Sequence, residues 1–367
     1  MNCAITSGPP PDCYPAELKS RGEYTINQFS KYENVLAFSA GNEVSLDPIE
    51  GAHNTENAPC QKKFLKDMRS YVNRCSNSMR KIPVGIIQAD IDREDKALYY
   101  SCRTNPTDET ENTDFIGINT YLHCDGSATS TSELLGYKQL LSDYTSYDMS
   151  VPVIVTEFGC VHDSFATNDG YEAQRNFLQV DALFSEEYRQ QFAGGFVFEY
   201  STEKTFAQDT SPYPFDTFGP QNSGVGYFTP EDCDDLTTAC EYERFPQFDA
   251  LADKYDDVDV SQEPNLVFYK RMWENPGIPS CPTNFPSLDS FTWPSDSVPL
   301  QECPVEVPMF CAGVPVECSV VTLPPINTSS APASYCGRWR TVSDSSLLMK
   351  AVVATAAAAG LLLVGLF

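Results

Sequence analysis

Five short apolar runs recur along the chain, at residues 35–41, 82–88, 115–121, 151–156 and 195–200. None alternates apolar with polar positions as a strand with one wet face does, so each reads as a strand buried on both sides. Helical patterning lies around them, at residues 15–33, 60–75, 134–141, 177–188 and 245–255. In the second of these, Phe64, Leu65, Met68, Val72 and Cys75 fall on one face. Strands alternating with helices predict an α/β chain with a parallel sheet and right-handed crossovers. A (β/α)8 barrel needs three more strands than these five.

Two of the runs end in the same way. VLAFSAGNE stops at Glu43 and VPVIVTE at Glu157. A carboxylate at the C-terminal end of a buried barrel strand points into the mouth where such folds keep their chemistry. One glutamate in that place is most often merely solvated, but a pair is what glycosidic cleavage requires: one group protonates the leaving oxygen while the other attacks the anomeric carbon. Asn42, beside Glu43, adds an amide able to hydrogen-bond a sugar hydroxyl. The chemistry needs no cofactor. The chain has 3 histidines, His53, His123 and His162, and no CxxC pair, so no metal site is expected either. With 24 Lys+Arg against 51 Asp+Glu, a net charge of -27 excludes nucleic acid as partner and favours a neutral one.

The 14 cysteines, dispersed without metal spacing, read as disulfides formed in an oxidising compartment. Cys60 and Cys75 are not partners, because a helix of that length separates its ends by roughly 22 Å. Cys124 and Cys160 lie beyond Tyr121 and Glu157 at the ends of neighbouring strands about 5 Å apart, which predicts a Cys124–Cys160 bond. From about Asn275 the texture turns to Pro, Ser and Cys (Cys281, Cys303, Cys311, Cys318, Cys336). The expected domains are residues 1–274 as part of a barrel, 275–335 as a disulfide-tied stalk, and 336–367 as a GPI-attachment signal. Small residues at 329–334 and then a polar stretch around Arg340, Ser343, Asp344, Ser345 and Lys350 precede the apolar tail Ala351–Phe367. The tail is shorter than the ~20 residues of a membrane span. Asn327-Thr328-Ser329 is a glycosylation sequon. Residues 1–20 hold no signal peptide, so a preceding segment is expected to be missing.

KYENVLAFSAGNEV (31–44), RKIPVGIIQADIDRED (80–95), DFIGINTYLHC (114–124), VPVIVTEFGC (151–160) and AGGFVFEY (193–200) together resemble glycoside hydrolase family 72, the GPI-anchored β-1,3-glucanosyltransferases of fungal cell walls. The resemblance implies a (β/α)8 TIM barrel of which this chain holds strands four to eight, and a retaining mechanism. The activity implied is internal cleavage of β-1,3-glucan, with transfer of the new reducing end to another glucan chain. It implies Glu43 as acid/base and Glu157 as nucleophile, with Asn42, Asp90 and Tyr121 contacting sugar and Cys102 paired with Cys281. Where the family has a basic residue this chain has Asp95, with Arg93 two positions away. Phe198 stands for a tyrosine, His123 for a tryptophan, and Tyr200 is expected on the same strand face as Phe198. The implied partners are donor and acceptor β-1,3-glucan chains and, through the GPI anchor, the outer leaflet beneath the cell wall; the protein is expected to act as a monomer. Two alternatives stay open: a β-glucanase using the same carboxylates with water, and a non-catalytic wall-associated fragment. In the catalytic reading, ionised Glu157 should raise the pKa of Glu43.

Overall fold

The computed structural model describes residues 4–45, 56–122, 128–147, 149–159, 175–209, 211–215, 222–233, 237–259 and 277–305, and the backbone of a strand at Leu362–Gly365. The five apolar runs form β1 (Val35–Asn42), β2 (Val84–Ala89), β3 (Ile116–Asn119), β4 (Val153–Phe158) and β5 (Phe192–Val197). They pair in parallel in the order β5-β4-β3-β2-β1. This curled sheet with helices on its outer side is part of a (β/α)8 barrel.

Burial explains why periodicity finds these strands. Every residue of β2 and of β3 is buried, so neither strand has a polar face to alternate with. The helices are α1 (Ala16–Phe29), α2 (Ala58–Arg74), α3 (Arg93–Ser101), α4 (Leu135–Ser146), α5 (Leu178–Leu183), the single turn α6 (Lys204–Ala207) and α7 (Pro246–Asp256). α2 packs on β1 and β2. Its stripe is fully inside: Phe64, Leu65, Met68, Val72 and Cys75 are all buried. The segment expected as one helix over 177–188 instead makes the short α5 and a 3₁₀ turn at Tyr188–Gln190. Beyond β5, β6 (Gly226–Thr229) and β7 (Glu241–Arg244) form an antiparallel pair. Cys233 and Cys240 are bonded within its connection. A further strand, β8 (Leu362–Gly365), lies parallel to β1 on the side away from β2. No helix among the described residues is long and apolar enough to cross a membrane.

Residues 277–305 run as a strap across α3, α2 and α1. Cys281 is bonded to Cys102 at the end of α3, as the family resemblance implied, and Cys303 to Cys75 at the end of α2. Cys60 is bonded to Cys13, so it is indeed not the partner of Cys75. Phe285 stacks on Tyr99 at 4.3 Å, and Trp293 is buried against Tyr14. Between these points the strap has almost no secondary structure, so its backbone is satisfied by side chains of the helices. Lys19 donates to the carbonyls of Ser295 and Val298, Asn27 and Tyr71 donate to that of Glu302, and the amide of Gln301 donates to Glu23.

Candidate active site

All five strands point their C-terminal ends the same way, and a polar residue stands at or within two residues of each end: Asn42, Asp90, Asn119, Glu157 and Glu199. β1 leads to Asn42 and Glu43. It leaves the sheet through Gly41 (φ 123°), after which Glu43 itself takes a left-handed conformation (φ 52°). A non-glycine residue held there costs on the order of 1–3 kcal/mol, and such strain concentrates at functional sites. The amide of Glu43 still donates to the carbonyl of Ile87, which keeps the turn against β2.

Asn119, at the end of β3, is the hub that sequence reasoning missed. Its Nδ2 donates to Asn42 Oδ1 at 3.0 Å and to Glu43 Oε1 at 2.9 Å. Its Oδ1 accepts from the Thr156 hydroxyl at 2.7 Å, which fixes the amide's orientation. In the sheet register Asn119 is paired with Glu157 itself. One side chain therefore joins the ends of β1 and β4 across the two strands between them. The available signal was an apolar run ending in asparagine, the same pattern that drew attention to Asn42.

Glu157 accepts a hydrogen bond of 2.5 Å from the Tyr121 hydroxyl. Burial pushes its carboxyl up to about 7. The charge of Glu43 adds to this, and the hydrogen bonds from Tyr121 and Asn119 oppose it. Desolvation thus raises the carboxyl of the residue expected as nucleophile. The Tyr121 hydroxyl is itself held far above the usual tyrosine range, first by burial and then by Glu157. Phe198 meets the Tyr121 ring edge-on at 6.4 Å.

Asp90 and Arg93 are brought together, but to each other. Arg93 pairs with Asp90 at 2.8 Å and with Asp143 of α4 at 3.1 Å, and Asp90 also accepts from the Thr120 hydroxyl. Lys96, buried on α3, lies near Glu43 and Asp92, and burial lowers its ammonium pKa. Tyr200 does not lie on the strand face with Phe198, because β5 ends at Val197; its ring stacks on Tyr242 of β7 at 4.3 Å. His123 and the proposed Cys124–Cys160 pair fall outside the described residues. The sequence also passed over Glu199, although FVFE repeats the pattern of an apolar run ending in glutamate. Burial and the charge of Glu203 push Glu199 up to about 7 against the opposing charge of Arg175. Arg175 is buried and donates to the carbonyls of Phe198, Ser223 and Gly224 and to Gln247 Oε1. Among the described residues no group of three or more His, Cys, Asp or Glu is placed to hold a metal ion.

The glucanosyltransferase family model of glycoside hydrolase family 72 matches residues 2–207, more than half of the 367-residue chain. The 1,3-beta-glucanosyltransferase gas5 of Schizosaccharomyces pombe is 36% identical over 181 residues, which are 49% of this chain and 32% of that protein. GAS5 of Saccharomyces cerevisiae is 34% identical over 203 residues, 54% of this chain and 37% of the other. Among solved structures, Saccharomyces cerevisiae Gas2p in complex with laminaritriose and laminaritetraose superimposes with a TM-score of 0.55 at 24% identity. That match covers 77% of this chain and 52% of the solved one. The chain thus spans about a third of the length of these curated relatives. It belongs to the glucanosyltransferases of glycoside hydrolase family 72.

Proposed function

We propose that the chain carries out retaining transfer on β-1,3-glucan, with Glu157 as nucleophile and Glu43 as acid/base. The observation that supports this best is the Asn119 amide, which ties Glu43 to the strand end that carries Glu157. In the first step the ionised Glu157 carboxylate attacks the anomeric carbon, the bond to the leaving sugar oxygen breaks, and Glu43 gives that oxygen its proton. Esterified Glu157 is then neutral, and the leaving sugar has carried away the proton of Glu43, which is left as a carboxylate. Glu43 next takes the proton of an incoming glucan hydroxyl, whose oxygen displaces Glu157 from the anomeric carbon. A hydroxyl held in place competes with water through positioning. Asn42, Asp90 and Tyr121 are the proposed sugar contacts, with Arg93 orienting Asp90.

The test uses the 367-residue chain and laminari-oligosaccharides. Transfer gives products longer than the substrate with the β configuration retained, read by mass and NMR. Glu157→Gln should lower the rate at least about a thousandfold. Glu43→Gln should accumulate a covalent adduct on Glu157 when the donor's leaving group needs no proton. Shortened products alone make the chain a hydrolase, and an inverted anomer or an unreactive wild type sinks the reading.

We also propose that residues 336–367 direct GPI attachment at the outer leaflet, supported by the small-polar-apolar order leading into that segment; attachment removes β8 and so exposes the edge of β1 with which it pairs. In cells where the chain enters the secretory pathway, a phosphatidylinositol-specific phospholipase should release it. Recovery of the Ala351–Phe367 peptide in the mature protein would exclude this.

A further inference from the structure

The β6–β7 hairpin has two unlike faces. On one, Tyr227 packs with Phe215 and Phe245 in a small core of its own. On the other, Phe228 stands directly across from Tyr242 in the ladder, their rings 5.3 Å apart. Tyr200 lies flat on Tyr242 at 4.3 Å, inclined 6°, and 6.4 Å from Phe228. The Tyr242 hydroxyl donates to the Tyr200 carbonyl at 2.6 Å, which locks the group. Packing within the hairpin accounts for Tyr227 and Tyr242. It leaves Phe228 at 43% exposure, the one phenylalanine among the described residues with so much ring in water. An exposed ring beside two partly buried ones is a cost unless something covers it.

The position of the hairpin identifies what covers it. Its first strand and the segment before it bond to the chain leaving β5: the Glu199 amide donates to the Ser223 carbonyl, Val225 to Glu199, and Thr202 to Gly226. That same segment begins with Phe198, against Tyr121 and hence Glu157. The aromatic face is therefore carried on the segment that leaves the mouth of the sheet, Tyr200 standing two residues after Phe198. Arg244, exposed and two residues along β7 from Tyr242 on the same face, offers hydrogen bonds to hydroxyls. A net charge of -27 favours an uncharged occupant. The axial C–H face of a pyranose is apolar, while its rim is all hydroxyl, which is the complement of such a surface.

We infer that Phe228, backed by Tyr242 and Tyr200, is an outlying subsite on which a pyranose ring of the glucan chain stacks, beyond the sugars held at the two carboxylates. This rests on the glucan reading above and adds a prediction about chain length. A short oligosaccharide confined to the carboxylates does not reach the hairpin; a long one does.

Phe228→Ser removes the exposed ring from a surface position and should leave thermal stability nearly unchanged. With long laminari-oligosaccharides its KM should rise about fivefold with kcat preserved, and with the shortest reactive ones nothing should change. Phe228→Trp should restore wild-type KM. Binding of long and short laminari-oligosaccharides to the same variants, followed by calorimetry, reads the subsite even if no turnover occurs. Inactivity with length-dependent loss of binding would sink the catalytic reading and keep this one. Equal KM and equal binding for wild type and Phe228→Ser at every length would overturn the subsite.

Discussion

Buried charge is handled in opposite ways by the helical layer behind the sheet and by the mouth in front of it. Behind, opposite signs meet: Lys63 bonds Asp67 at 2.5 Å and Asp296 of the strap at 2.8 Å, and Tyr14 donates to Asp67 at 3.0 Å. Arg69 holds Asp114 and donates to the carbonyls of Glu109 and Asn112. In front, like signs gather: Glu43 and Glu203 push Glu157 up, and Glu203 and Glu157 push Glu199 up. Paired charges fix a shape, whereas clustered like charges raise the energy of the folded state and are kept where a proton must be held and released. The back is built for stability and the mouth at its expense.

The largest test of that contrast removes a staple from the back. Cys75→Ser with Cys303→Ser opens a link between residues 228 apart in sequence. Losing such a bond should cost about 3 kcal/mol and lower Tm by about 4 °C, read by circular dichroism. The titration of Glu157, followed by NMR, should stay near its wild-type midpoint. A changed midpoint with unchanged Tm would reverse the assignment of roles.

A smaller effect sharpens the other half. The folded pKa of Glu157 is raised to about 7, against about 4.3 for an unfolded glutamate. The folded state therefore binds this proton more tightly, and its contribution to stability is complete below the unfolded value and lost as pH rises through about 7. Because the carboxyl is partly open to solvent, the loss is discounted to about 1 kcal/mol. Glu157→Gln should remove that decline, so its Tm should exceed wild type at pH 8 and match it near pH 4. Parallel Tm profiles for the two proteins would mean that Glu157 is not held out of water.

The strands and most helices were legible because they are buried on regular periods. α3 was not: it opens Arg93-Glu94-Asp95-Lys96 after a left-handed Asp92, which masks its apolar stripe. β7, Glu241-Tyr242-Glu243-Arg244, carries only its single aromatic, and its pairing with β6 crosses a cysteine-closed loop. At the site, Glu43 and Glu157 were found from strand ends, but the Asn119 bridge needs the sheet order, which no local pattern carries. The strap reads as irregular sequence because its order comes from bonds to residues far away in the chain, such as 179 positions for Cys102–Cys281 and 276 for Lys19 and Ser295.

The strap also decides how the molecule hangs from its own C-terminal side. Cys75 and Cys102 close the C-terminal ends of α2 and α3, and in a βα unit that end leads back to the start of the next strand. Both joints therefore sit at the foot of the sheet, opposite the strand ends that carry the carboxylates. A pull arriving from beyond Val305 is taken up first by Cys303 and then by Cys281, through covalent bonds into the outer helices. Tension enters at the foot and bypasses the mouth, so a molecule tethered from that side stands with its opening turned away from the tether.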